Sequence, residues 1–187
     1  MKQSQTLCAF VCATLLSACI SKESVEAVHY FRPELTQLEL QTAQVQKPLR
    51  IETVTAPVEI GSRILWRISS TELVPDENNL WARRPEELLD ERLRDLLFGG
   101  SFYSSRSAVD PALRVRLVRL EGDMSGALEA SVELIVTLRT SDAGDQRARI
   151  TAREPLSSKN AEGLAAAMGL ALSEAASLTE TWVLAQK

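Results

Sequence analysis

Cysteine is almost absent from this chain: there are three in 187 residues, Cys8, Cys12 and Cys19, and none follows. The rest of the sequence therefore has neither a disulfide framework nor a cysteine-ligated zinc site. Histidine occurs once, as His29, too few for an imidazole metal centre. It lies near the start of the chain, apart from any serine motif, so a Ser-His nucleophile has no base at hand. No glycine-rich loop could cradle a phosphate. Lysine and arginine never form a run and the net charge is −4, the opposite of a nucleic-acid footprint. No apolar stretch approaches the ~20 residues that a membrane-spanning helix needs. These absences predict a protein that is not an enzyme and has no metal or cofactor. What is present, 45 % hydrophobic and 25 % charged residues, is the balance of one ordinary globular domain.

The place of the three cysteines is informative. Lys2 opens a short polar region, Leu7 to Leu16 is apolar, and Ser17 and Ala18 are small. That is the build of a secretory signal, since an apolar run of about ten residues is too short to span a bilayer. Leu16-Ser17-Ala18-Cys19 resembles a bacterial lipobox, which implies cleavage before Cys19 and attachment of diacylglycerol and an N-acyl chain to it. Cleavage removes Cys8 and Cys12 and acylation consumes Cys19, leaving no free thiol. The alternative is ordinary cleavage after Ala18 with Cys19 unmodified. By the same resemblance, Ile20 and Ser21 after the cysteine, with no Asp, point to the outer membrane. The expected organisation is a signal over residues 1–18, a lipidated cysteine and polar tether over 19–27, and one periplasmic domain over 28–187.

Within that domain, Val28–Phe31 and Leu49–Val58 read as strands, the second stopped by Pro57. Ile60–Ser69 and Leu73–Trp81, with a polar connection containing Pro75, Asp76, Asn78 and Asn79, read as an irregular hairpin or two short extended pieces. Pro85 suits a first helical position, Glu86 and Glu87 suit the positive end of the helix dipole rather than an acid pair for catalysis, and Gly99-Gly100 supply a stop. Leu89, Leu93, Leu96 and Leu97 form one stripe on that helix. Leu113–Leu120 and Leu128–Arg139 follow as a hairpin about Gly122–Gly126, with Leu113, Val115 and Leu117 expected opposite Val136, Leu134 and Val132, and Arg116 opposite Glu133. The alternation slips at Leu117-Val118, which predicts a bulge. A strand over Gln146–Arg153 extends the meander. A last helix over Ala161–Leu184, capped by Asn160 or Ser158, presents Leu164, Met168, Ala171, Leu172, Ala175, Leu178 and Trp182 on one face. The expected class is α+β: a mostly antiparallel sheet with two main helices on one face.

Ile64-Leu65-Trp66-Arg67, then Trp81-Ala82 and Pro85, then Leu113–Asp123 and the strand ending LIVTLRT, resemble the ABC-type transport auxiliary lipoproteins, the PqiC-like group. The resemblance implies an auxiliary, non-catalytic lipoprotein of an ABC/MCE-type intermembrane lipid transport system. Its partners would be a mammalian-cell-entry (MCE) domain protein and an ABC permease and ATPase, and it would dock at the outer membrane, facing the periplasm. A homo-oligomer is compatible with it, and nucleic acid is not expected. Trp66, Arg67, Leu73, Leu80 and Trp81 are the candidate partner-binding residues, because aromatic and arginine side chains are favoured at interface cores. The alternative is an assembly or plug lipoprotein of an outer-membrane barrel.

Overall fold

A computed structural model describes residues 26–36, 49–99, 111–140 and 144–186; the signal, Cys19 and most of the tether lie outside them. The elements are β1 (His29–Phe31), β2 (Arg50–Thr55), β3 (Arg63–Arg67), β4 (Leu73–Trp81), α1 (Pro85–Phe98), β5 (Ala112–Asp123), β6 (Glu129–Thr140), β7 (Gly144–Pro155) and α2 (Ala161–Ala185). Together they make an α+β domain built on one mixed sheet of seven strands.

The meander β5–β6–β7 is antiparallel throughout. Every second residue of β6 from Ala130 to Val136 faces the helices and is apolar, so Ala130, Val132, Leu134 and Val136 are wholly buried. The other face carries arginines and acids in cross-strand pairs, Arg149 to Glu133 and Arg153 to Glu129 among them. One edge of β5 pairs with β6 along its length. β2 and β3 therefore share the other edge, β2 running parallel beside Ala112–Arg116 and β3 parallel beside Gly122 and Asp123. β4 pairs antiparallel with β3, and the short β1 pairs parallel with the end of β4.

Two expectations about detail are corrected. Leu113, Val115 and Leu117 face Leu138, Val136 and Leu134, a slip of two residues from the expected register. Arg116 thus faces Ile135, and Arg119 takes the place opposite Glu133. A two-residue slip keeps every side chain on its own face, so the hydrophobic pattern cannot choose between the registers; the turn does. β5 continues to Asp123, and Leu128 closes the turn at φ 54°, in the left-handed region. The expected bulge is present between Leu117 and Arg119. On α2, Leu178 is 41 % exposed and Thr179 is buried in its stead. Thr179 can go inside because its hydroxyl donates to the Ala175 carbonyl at 2.8 Å, which satisfies the polar group within the helix.

The helix ends follow their local chemistry. Pro85 begins α1, and Gly99 ends it at φ 62°, a conformation that suits a residue without Cβ. Asn160 caps α2, its side-chain oxygen accepting from Gly163 N at 2.8 Å. α2 packs over β6 and β7, while α1 packs against α2 and β2. Residues 33–36 cross α2 where Gly169 leaves room, and Thr36 N donates to Ser173 Oγ at 3.0 Å.

Candidate functional site

The five candidate residues all lie on β3 and β4 but do not form one cluster: Trp66, Arg67 and Leu73 lie towards the turn end of the hairpin, whereas Leu80 and Trp81 lie at the other end of β4 beside Arg63. Trp66 and Trp81 are 8 % and 2 % exposed and belong to the core. Leu80 is half-buried, and only Leu73 reaches the surface. The tryptophans therefore shape the hairpin from beneath.

Trp66 lies flat over Gly122 of β5, beside Leu164 of α2: a Cβ added at Gly122 would sit 2.6 Å from two carbons of the indole ring. Its ring N–H donates to Asp76 Oδ2 at 2.9 Å. The other oxygen of Asp76 accepts from the backbone N–H of Asn78 and Asn79 and from the Asn79 side chain. One carboxylate thus fixes both the indole and the irregular part of β4, where the pairing with β3 is interrupted. Gly122→Ala should force the indole off this seat and destabilise the domain by about 2 kcal/mol, the usual cost of overpacking. Denaturant unfolding monitored by tryptophan fluorescence reads both the stability change and the altered indole environment; an unchanged midpoint would contradict the packing described.

Arg67 holds the hairpin from the opposite face. Its guanidinium grips the buried carboxylate of Glu121 with two N–H groups, Nη2 lying 2.9 Å from Oε2. Hydrogen bonding to Glu121 raises the Arg67 pKa further above its ordinary value. Nη1 reaches the Ser69 and Ser70 carbonyls of the turn. Beyond Glu121 the charges alternate through Arg119 and Glu133 to Arg149, tying β3, β5, β6 and β7 together.

At its turn end the hairpin carries Ile68, Leu73 and Val74, with Met124 of the β5–β6 turn bonded to the Arg67 carbonyl next to Ile68, all partly exposed. Ile68 and Met124 escaped the sequence reading. Their signal was a large apolar residue set in a turn otherwise made of small or polar residues, Ser69–Glu72 in one and Asp123 with Ser125–Ala127 in the other.

Elsewhere a cleft of about 520 Å³ separates residues 32–36 from α1, lined by Arg32, Glu34, Glu91, Arg92 and Asp95. Burial raises the pKa of Asp95 there and of Glu180 on α2. A hydrogen bond from Arg114 lowers that of Glu52, and one from Ser125 lowers that of Asp123. These shifts have opposite signs for stability. As pH falls from 7, Asp95 and Glu180 take up protons in the folded chain before the unfolded one, so stability rises. Further down, Glu52 and Asp123 are protonated first in the unfolded chain, so stability is lost as pH falls through their lowered values. Thermal denaturation against pH should therefore peak in mild acid, and Asp95→Asn should flatten the rise; a steady fall from pH 7 in the parent would contradict this.

Among the described residues no cluster of His, Cys, Asp and Glu is arranged to hold a metal, and no helix is long and apolar enough to cross a membrane. His29 lies exposed on β1.

Comparison with known proteins bears on both the family and the fold. The model of a family described as the ABC-type transport auxiliary lipoprotein component matches residues 34–177. The crystal structure of protein XCC0632 from Xanthomonas campestris has a similar fold, with TM-score 0.69, 23 % identity, and coverage of 85 % of this chain and 95 % of that one. A second crystal structure, of an uncharacterized protein, is similar at TM-score 0.62 and 16 % identity over 84 % of this chain and 99 % of that one. No curated protein matches the sequence.

Proposed function

Because the chain belongs to the family of ABC-type transport auxiliary lipoprotein components, we propose that it is the non-catalytic outer-membrane subunit of an ABC/MCE-type system that moves lipid between two membranes. The family match over residues 34–177 is the observation that carries this reading. In it, Cys19 bears the diacylglycerol and N-acyl chain that hold the protein on the periplasmic side of the outer membrane. The domain binds no nucleotide; it supplies a fixed position and a surface for an MCE-domain protein, whose ABC permease and ATPase do the work of transport. The rigidity of the hairpin supports such a role, since Trp66 and Arg67 lock β3 and β4 to the body of the sheet from both faces.

The test is photo-crosslinking in intact cells, with the crosslinking amino acid placed at exposed positions on different faces, Leu73, Arg147 and Leu178. Recovery of an MCE-domain protein at any of them supports the transport role. Recovery of a barrel protein alone would replace it with barrel assembly. Membrane fractionation of the parent and of Cys19→Ser tests the anchor: the parent should travel with the outer membrane, and the variant should leave the membrane fractions.

A further inference from the structure

We infer that the turn end of the β3–β4 hairpin, with the β5–β6 turn, is a membrane seat: Ile68, Leu73, Val74 and Met124 enter the headgroup region of the bilayer that holds Cys19. The inference rests on acylation of Cys19 and says nothing of the transport partner.

Three observations carry it. First, the four side chains are 44 %, 39 %, 39 % and 39 % exposed, and they lie at the tip of two adjoining turns, Leu73 and Val74 on opposite faces of β4. Ile68 N donates to the Glu72 carbonyl at 3.1 Å, and Met124 N donates to the Arg67 carbonyl at 2.8 Å, so both turns are held at one level. Around them stand the hydroxyl residues Ser69, Ser70, Thr71 and Ser125, able to hydrogen-bond headgroups, together with the carboxylates of Glu72 and Asp123 at the rim.

Second, the chain leaves the domain towards this end. β1 runs parallel to β4, with His29 opposite Asn79 and Phe31 opposite Trp81. Followed backwards, residues 28 to 26 therefore descend beside β4 towards Leu73, and Asn78 Nδ2 donates to the Glu26 carboxylate on that path. Third, the tether is short. Seven residue steps from Cys19 to Glu26 reach at most ~25 Å. By continuation of the β1–β4 register, Glu26 lies level with Asp76, roughly 10 Å from Leu73 and roughly 13 Å from the level of Ile68 and Glu72 at the rise of a strand. A tether running straight on past β4 can carry the anchored cysteine at most roughly 12 Å beyond the level of Ile68, so an extended tether brings the bilayer to this end of the domain.

A bilayer also fits this patch better than a protein does. Four partly exposed side chains supply only a fraction of the ~800 Å² per partner that a stable protein interface buries. At a membrane they need supply no affinity, because the acyl chains already retain the protein. The patch would set which way up the domain stands.

The experiment uses the mature acylated protein in vesicles of phosphatidylethanolamine and phosphatidylglycerol. Acylation leaves no other thiol, so single cysteines at Ile68, Met124 and Asp145 can each carry an environment-sensitive dye; Asp145 lies in β7 at the far end of the sheet. Lipids bearing a nitroxide near the headgroup should quench the dyes at 68 and 124 several-fold more than the dye at 145. Equal quenching at all three would overturn the seat and leave the proposed function standing. A blue shift at 68 and 124 without nitroxide quenching would mean that protein covers the patch, and would overturn it too. Loss of the protein from the vesicles, with an unmodified mass, would remove the acylation reading and the seat together. In a second variant, Ile68→Glu with Met124→Glu should reduce quenching of a dye at Leu73→Cys several-fold while the thermal midpoint stays put; undiminished quenching would overturn the assignment.

Discussion

Gly169→Ala should destabilise the domain by about 2 kcal/mol, although alanine is the better helix former by about 1 kcal/mol. Gly169 lies in the middle of α2, where glycine has no local merit. Its value is the close approach it permits: a Cβ there would overlap the backbone carbonyl of Glu34. Two hydrogen bonds then depend on that contact. Thr36 N donates to Ser173 Oγ, and the same hydroxyl donates to the Gly169 carbonyl at 2.8 Å. A methyl group at 169 would push residues 33–36 away from the helix, break the Thr36 bond, and uncover the half-buried Leu35, which packs on the core. Hydrogen exchange at Thr36 should quicken well before the rest of the sheet responds. Ser173→Ala should reproduce the faster exchange with a smaller loss of stability, because it removes the bond without the clash. If Gly169→Ala were as stable as the parent, the crossing of residues 33–36 over α2 would be wrong, and so would the path of the chain from the anchor into the domain.

That crossing marks the limit of what could be read in advance. Local signals were legible wherever a residue's own chemistry decides: Pro85 and Gly99 around α1, a cap before α2 at Asn160 or Ser158 that the structure places at Asn160, the bulge after Leu117. Non-local pairing was not. Nothing in Arg50–Thr55 says that it lies parallel to β5, nor in His29–Phe31 that it lies parallel to β4, because a short strand's pattern gives its faces but not its neighbours. The β5–β6 hairpin shows the same limit more narrowly, since the two registers bury identical faces and differ only in the turn. For the candidate site the pattern located the hairpin but could not rank its residues. Trp66 was recognisable as large and aromatic, yet whether it points to solvent or to the core depends on Gly122, 56 positions away, whose missing side chain makes the seat for the ring. Conversely, Ile68 and Met124 became notable only once two separate turns were seen to end at one level.

The clamp on the other face of the hairpin gives the largest expected effect. Arg67→Ala leaves the Glu121 carboxylate buried without its bidentate partner, and removal of one member of such a pair costs about 3 kcal/mol. Arg119, with Nε 3.6 Å from Glu121 Oε1, softens the loss but cannot replace the fork. Arg67→Lys should cost less, about 1 kcal/mol, because a point charge can meet one oxygen while the bonds to the Ser69 and Ser70 carbonyls are lost. Replacing both partners by apolar residues, Arg67→Met with Glu121→Leu, should return stability to within about 1 kcal/mol of the parent, since neither residue then leaves a buried charge. A double-mutant cycle over these variants measures the coupling directly. A coupling near zero would mean that the pair contributes nothing to the fold. A large coupling, with the apolar pair stable, would separate two roles that the single substitution confuses. Stability would be recoverable without the charges, but the turn at Ser69 and Ser70 would no longer be tied to the sheet. If the hairpin's end seats on the bilayer, the apolar pair should fold normally and still show weaker headgroup quenching at Ile68 than the parent does, because what Arg67 fixes is the position of that end.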